Sequence, residues 1–228
     1  MNMKRSFWVT GASQGLGLAM VEQLLDQGHR VAASGRDSQE LDALGKTHAG
    51  TLLRLPGLLT EEPDAIRRRL LDKWGALDGL IINAGACDYL PDNVTPGNLF
   101  EMIVHSNMDA TEHALLSALP ALVNGSQPQI MAIFSRYSAL QLYAPTQPAN
   151  DANSLPHWVR SQRDILKRQG IDLTVVAPPS PQDPVMPEAW TAQAAAMVLI
   201  AELDQRQPEL SLEALGMNSL WPLPEALR

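Results

Sequence analysis

A glycine-rich stretch near the start of the chain has the composition and spacing of an anion-binding turn. It reads Thr-Gly-Ala-Ser-Gln-Gly-Leu-Gly over residues 10–17, after the apolar run 7–9 and before apolar residues at helical spacing over 16–24. This order predicts a strand, a tight turn and a helix. Glycines in such a turn let a pyrophosphate approach the backbone, where the helix N-terminus offers N–H groups. The predicted nucleotide contacts are Gly11, Ser13, Gln14, Gly15, Leu16 and Gly17, with a plain tight turn as the alternative.

Apolar runs and helical stretches alternate along the rest of the chain. The sequence predicts buried strands at 31–34, 52–55, 80–83, 130–134 and 173–176, with helices near 63–74, 96–119, 154–169 and 190–203. This alternation is typical of βαβ units with right-handed crossovers. We therefore expect an α/β fold, a Rossmann-like doubly wound parallel sheet in three αβα layers. Ligand chemistry should gather outside the carboxyl ends of its strands, where the glycine turn, Arg36, Asn83 and Ser135 would lie.

Length and composition restrict the classes of protein to which this chain could belong. The 228 residues, 45% of them hydrophobic, suffice for one substantial core, and we expect one domain over residues 1–228. A net charge of -8 argues against a nucleic-acid surface, because binding phosphate backbones needs clustered Lys and Arg. The longest apolar runs are too short to cross a bilayer, and the single Cys87 fits a reducing compartment. We expect a cytoplasmic protein without nucleic-acid or membrane partners.

Two further turns complete a resemblance to the short-chain dehydrogenases/reductases that covers nearly the whole chain. The glycine turn matches the cofactor turn of that family, and Ile82-Asn83-Ala84-Gly85 matches its Asn-Asn-Ala-Gly turn, with Ile in place of the first Asn. Val176-Ala177-Pro178-Pro179 is similar to the family's Pro-Gly that touches the nicotinamide, with Pro179 replacing Gly. The resemblance implies a nicotinamide dinucleotide cofactor. It adds four cofactor contacts, Asn83, Ala84, Gly85 and Pro178.

The resemblance also assigns the catalytic positions and shows where this chain departs from the family. Asn107 matches the helix asparagine that relays protons, and Ser135 matches the catalytic serine. The family's tyrosine, which protonates a carbonyl as hydride arrives, falls at Pro148, and the lysine that lowers its pKa falls at Ala152. Neither side chain is present at its position, so the proton donor and its cationic neighbour are both replaced.

Tyr143 is the candidate replacement for the missing acid, with a packing or rim tyrosine as the alternative. None of the four lysines follows Tyr143 or Tyr137 by one helical turn, and a neutral phenol without such a neighbour is a poor acid. Pro145 and Pro148 disfavour helix, so the next helix is predicted to begin with Asn153 or Ser154 as its cap. The candidate catalytic residues are Ser135, Asn107 and Tyr143.

The end of the second predicted strand bears on the choice of cofactor. A carboxylate there would accept hydrogen bonds from the adenosine ribose, whereas this chain has Gly35 followed by Arg36, whose guanidinium can bind a 2′-phosphate in bidentate fashion. This favours NADP(H) over NAD(H). Asp37 stands next to Arg36, so a solvated surface arginine is the alternative. Leu58 stands where family members often place an Asp that meets the adenine amino group, which predicts reduced cofactor affinity.

These observations lead to three hypotheses of function. The first is an NADP(H)-dependent oxidoreductase with atypical or weak activity on a small-molecule carbonyl or alcohol. The second is a catalytically inactive pseudoenzyme that serves as a nucleotide sensor or partner subunit. A non-redox enzyme of this fold is disfavoured, because such relatives tend to lose the glycine turn and keep the tyrosine.

Three other expectations concern metal, substrate loop and assembly. His105, His113 and His157 form no cluster with acids or Cys87 at ligand spacing, so no metal site is expected. The substrate loop, residues 178–188, is short and rich in proline. The helices near 96–119 and 154–169 correspond to those through which family members form dimers, so the resemblance implies a homodimer or homotetramer.

Overall fold

Seven parallel strands form one sheet in the computed structural model, in the order β3-β2-β1-β4-β5-β6-β7. The structure describes residues 4–56, 59, 62–84, 99–135, 138, 154–179, 190–217 and 220. The strands are β1 (Ser6–Val9), β2 (Arg30–Gly35), β3 (Leu52–Pro56), β4 (Gly79–Ala84), β5 (Gln129–Phe134), β6 (Asp172–Ala177) and β7 (Glu209–Ser211). The order reverses between β1 and β4, which is where doubly wound sheets open a crevice at the carboxyl ends of their strands.

Helices cover both faces of the sheet. They are α1 (Gly15–Asp26), α2 (Gln39–Thr47), α3 (Pro63–Trp74), α4 (Leu99–Leu122), α5 (Leu155–Ser161), α6 (Arg163–Arg168) and α7 (Ala192–Glu202). Successive strand residues point to opposite faces, so Phe7 and Val9 pack in the cluster under α1 and α7, while Trp8 packs in the cluster under α3 and α4. The doubly wound three-layer fold predicted from the alternation is confirmed.

The structure adds two elements and divides a third. Helix α2 and strand β7 were not predicted, and the helix predicted over 154–169 is two helices that meet at Gln162. Just before this junction the Ser161 hydroxyl donates to the Trp158 carbonyl oxygen at 2.6 Å, a local bond that competes with regular helix. The predicted start is confirmed, because the Ser154 hydroxyl caps α5 by accepting from the His157 N–H. Among the helices of the described ranges, none is long and apolar enough to span a membrane.

His29 is a buried histidine at the amino end of β2. The Arg5 N–H donates to its Nδ1 at 3.2 Å, and its ring lies edge-on to Phe7 with 5.2 Å between the centroids. Burial lowers the pKa of His29, and the positive charge of Arg5 lowers it further, against the opposing effect of Asp204 and Asp78. The folded state therefore favours the neutral form of the His29 ring.

This arrangement predicts acid sensitivity. Because the unfolded chain takes up the His29 proton at about pH 6.5 and the folded chain only at lower pH, the contribution to stability is present above that pH and is lost as the pH falls below it. We expect the free energy of unfolding to decline more steeply between pH 7 and 5 in the wild type than in His29→Asn, which keeps an acceptor but does not titrate. Denaturant unfolding at several pH values measures this, and parallel curves would contradict it.

Candidate cofactor site at the carboxyl ends of the strands

The turn between β1 and α1 has the backbone of a glycine turn. Gly11 and Gly15 have φ angles of 60° and 57°, in the left-handed region that side chains with a Cβ rarely adopt. Gln14 is the N-cap of α1, and its side chain makes no capping hydrogen bond. Leu16 is fully buried and packs in the cluster between α1 and the sheet. A helix start of this kind is where phosphate groups bind in proteins.

The glycine turn and the carboxyl end of β4 are joined by direct contact. Asn83 Nδ2 donates to the Gly11 carbonyl oxygen at 3.1 Å, and the Asn83 N–H donates to the Thr10 hydroxyl at 3.2 Å. A Cβ on Gly17 would lie 2.0 Å from the Gly11 oxygen and 2.9 Å from Asn83 Nδ2. The two motifs therefore come together as expected, and the Asn83 amide supports the glycine turn through the backbone of Gly11.

The end of β2 borders the same turn. The Ala12 N–H donates to the Ser34 carbonyl oxygen at 3.0 Å, and the Ser34 hydroxyl accepts from the buried Trp8 indole N–H at 3.0 Å. Arg36 follows β2 directly and is partly exposed. The candidate phosphate-binding arginine thus leaves the sheet beside the glycine turn, as the strand order predicts. Sequence reasoning missed the support from Trp8, because a tryptophan in an apolar run gives no sign of its hydrogen-bond partner.

Ser135 lies directly after β5 and is buried with a second serine. Its hydroxyl accepts from the Ser138 N–H at 3.2 Å and lies 3.1 Å from the Ser138 hydroxyl. Ser138 was not predicted, although a serine three residues after another is the spacing of a local side-chain turn. Asn107 is also buried, in α4, where the Thr111 hydroxyl donates to its carbonyl oxygen at 2.6 Å.

The structure describes some of the remaining predicted site residues. Ala84 ends β4, and Pro178 follows β6 and is partly buried. Gly85, Leu58, Tyr137, Tyr143, Pro148, Ala152 and most of the loop 178–188 lie outside the described residues. In the part of the chain that the structure covers, no group of three or more His, Cys, Asp or Glu side chains is arranged to hold a metal ion.

Comparison with known proteins identifies the family. The model of the family described as short chain dehydrogenase matches residues 6–193. This chain is a short-chain dehydrogenase family member. Among solved structures, a short-chain dehydrogenase from Streptomyces avermitilis superposes with a TM-score of 0.70 at 19% identity, covering 96% of this chain and 90% of that one. Pseudomonas aeruginosa RhlG in an active-site complex with NADP gives 0.69 at 21% identity, covering 91% and 93%. At these identities the likeness shows the fold.

Curated relatives of this family member match over part of their length. Cis-2,3-dihydrobiphenyl-2,3-diol dehydrogenase of Paraburkholderia xenovorans is 31% identical over 123 residues, covering 50% of this chain and 44% of that protein. Cis-toluene dihydrodiol dehydrogenase of Pseudomonas putida is 32% identical over 134 residues, covering 55% and 48%. The matched stretch thus spans about half the length of these short-chain dehydrogenases.

Proposed function

We propose that this family member binds NADP(H) across the carboxyl ends of β1, β2 and β4. The observation that carries the proposal is the glycine turn at the start of α1, where Gly11 and Gly15 have left-handed backbones and the N-cap side chain of Gln14 makes no capping hydrogen bond to the helix. The proposed contacts are Gly11, Ser13, Gln14, Gly15, Leu16, Gly17, Arg36, Asn83, Ala84, Gly85 and Pro178. When bound, the cofactor would supply or accept a hydride.

Arg36 supports NADP(H) over NAD(H). It leaves β2 at the strand end next to the glycine turn, and Gly35 before it has no carboxylate to repel a 2′-phosphate. A planar guanidinium can bind two phosphate oxygens at once. The proposed role of Arg36 is therefore recognition of the adenosine 2′-phosphate.

Replacement of the tyrosine and lysine defines the proposed chemistry. Ser135, with its hydroxyl held by Ser138, would donate a hydrogen bond to a carbonyl, and buried Asn107 would take the place of the family's proton-relaying asparagine. Neither group is a strong acid, so Tyr143 is the proposed proton donor, and carbonyl or alcohol turnover should be weak. The alternative is a pseudoenzyme that binds the cofactor as a sensor or as the partner of a catalytic subunit, favoured by Pro148 and Ala152.

Two measurements separate these functions. Fluorescence titration with NADPH and NADH tests binding, and failure to bind either would refute both readings. Turnover against a panel of carbonyls and cis-dihydrodiols, the second class chosen from the names of the curated relatives, then separates oxidoreductase from pseudoenzyme. Tight binding of NADPH without turnover of any substrate would establish the pseudoenzyme.

Removing the phenol hydroxyl of Tyr143 tests the proposed donor. If wild-type turnover is measurable, Tyr143→Phe should lower it by roughly 100-fold or more, because general acid catalysis contributes about 10²–10⁴-fold. Tyr137→Phe is the matched control and should keep wild-type turnover. Equal rates in wild type and Tyr143→Phe, measured at saturating NADPH, would remove Tyr143 from the mechanism.

Exposed apolar side chains support a proposed homodimer or homotetramer. Leu116 on α4 is 57% exposed, Val123 directly after α4 is 55% exposed, and Ile165 on α6 is 47% exposed. Both helices pack in the same core cluster on one face of the sheet, and apolar side chains exposed on that face favour contact with another surface. Sedimentation showing only monomer would refute this assembly.

A further inference from the structure

Ser34 joins β2 to the chain of β1 beyond the end of their ladder. The β1–β2 ladder ends at the pair Val9 and Ala33, after which the chain of β1 enters the glycine turn. Past this pair, the Ala12 N–H donates to the Ser34 carbonyl oxygen at 3.0 Å, and the Trp8 indole N–H donates to the Ser34 hydroxyl at 3.0 Å. Ser34 is therefore held by one bond through its backbone and by another through its side chain.

The bond from Trp8 to Ser34 is fixed in direction and shielded from water. Trp8 lies opposite Ala32 in the ladder and packs on the same face of the sheet, and Ser34 is two residues further along β2 on that face. Both side chains of the bond are fully buried. An indole N–H can only donate, so the Ser34 hydroxyl is the acceptor. Removal of either partner would leave the other without this bond in the interior of the protein, which is costly.

Ser34 lies between the two places at which the proposed cofactor would present phosphate. Ala12 belongs to the glycine turn, where the pyrophosphate is proposed to bind, and Arg36 is the proposed partner of the 2′-phosphate. One hydrogen bond separates Ser34 from the turn, and one residue, Gly35, separates it from Arg36. A shift of Ser34 would therefore change the distance between the two proposed phosphate-binding groups.

We propose that Trp8 is a positioning residue that sets the spacing between the glycine turn and Arg36, acting through Ser34. The inference rests on the proposed NADP(H) binding and deepens it. A ligand that carries both phosphates gains affinity when the two groups are already held at the right separation, because binding then does not have to order them. A ligand that carries only one of the phosphates does not depend on that separation.

The experiment compares ligands that carry one or both of these phosphates. Adenosine 5′-monophosphate presents a phosphate to the glycine turn alone, adenosine 2′-monophosphate presents one to Arg36 alone, and adenosine 2′,5′-bisphosphate presents both. Dissociation constants are measured for the wild type, for Trp8→Phe, which removes the N–H and keeps an aromatic ring, and for Ser34→Ala, which removes the acceptor. We expect both variants to bind the bisphosphate roughly three- to tenfold more weakly and each monophosphate as well as the wild type does.

Two further variants separate positioning from general loss of structure. Trp74→Phe removes an indole at the end of α3, where the ring lies 5.2 Å from the guanidinium carbon of Arg30 at the amino end of β2, and it should bind all three ligands as the wild type does. The double variant Trp8→Phe with Ser34→Ala should lose no more affinity for the bisphosphate than either single variant, because both changes remove the same bond.

Each outcome of these titrations has a distinct meaning. Equal affinity of the wild type and Ser34→Ala for the bisphosphate overturns this inference alone, even if Trp8→Phe does not fold. Equal weakening of all three ligands also overturns it, because that result indicates general disruption of the site, and so do losses that add in the double variant. A wild type that binds the bisphosphate no better than adenosine 5′-monophosphate overturns the proposed role of Arg36, and this inference with it.

Discussion

Gly17→Ala is expected to abolish NADPH binding and to lower the free energy of unfolding by about 3 kcal/mol. The added Cβ would lie 2.0 Å from the Gly11 carbonyl oxygen, a backbone atom that cannot rotate away. It would also press on the Asn83 amide, so the bond from Asn83 to Gly11 would be lost or displaced. Thermal or denaturant unfolding measures the first effect, and fluorescence titration with NADPH measures the second.

Gly45→Ala is the matched control for this substitution. Gly45 lies in α2, where an added Cβ would meet only Arg54 Cγ, at 3.8 Å. Because glycine inside a helix costs about 0.5–1 kcal/mol relative to alanine, this variant should be as stable as the wild type or more so, with unchanged NADPH affinity. A Gly17→Ala protein that matches the Gly45→Ala protein in stability and affinity would refute the close-packed turn.

Arg36→Ala is expected to weaken NADPH binding by roughly 10–100-fold while leaving NADH binding nearly unchanged. The estimate follows from a charge-assisted hydrogen bond worth about 1.5–3 kcal/mol, which only the 2′-phosphate of NADPH would receive. Titration of both cofactors at low and at high salt measures the change, and the loss should be smaller at high salt because ions screen the pair.

Arg67→Ala controls for the loss of one positive charge. Arg67 pairs with Asp64 at 2.8 Å on the exposed side of α3, so its removal changes net charge equally but should leave both affinities unchanged. If Arg36→Ala weakened NADPH and NADH alike, Arg36 would act on the shared part of the two cofactors, and the preference for NADP(H) would fall.

The fold was predictable from the sequence because its main elements have strong local signals. Buried strands such as β5 are continuous apolar runs, and α3 begins at Pro63, as the sequence predicts. The two missed elements lack such signals. Only Leu41 is buried in α2, and β7 is a three-residue edge strand whose outer residues are exposed. Both depend on tertiary contacts for their structure.

The candidate site, like the fold, was predictable from the sequence only in part. Motif spacing predicted that Gly11 and Asn83 would approach each other, because Gly11 follows β1 and Asn83 lies near the carboxyl end of the neighbouring parallel strand β4. It did not predict that the Asn83 side chain would bond the glycine turn, nor that Trp8 would bond Ser34. These bonds join residues that are 72 and 26 positions apart, and side-chain direction at such separations is set by packing.

The bond between Asn83 and Gly11 has an evolutionary consequence. Since Gly17, Gly11 and Asn83 fill one another's space, selection for a folded protein alone would preserve all three, even in a descendant that had given up its nucleotide. The glycine signature would outlive the activity. Arg36 is partly exposed and lies outside this packed trio. In a descendant that no longer binds the nucleotide, Arg36 would therefore be substituted before the glycines and Asn83.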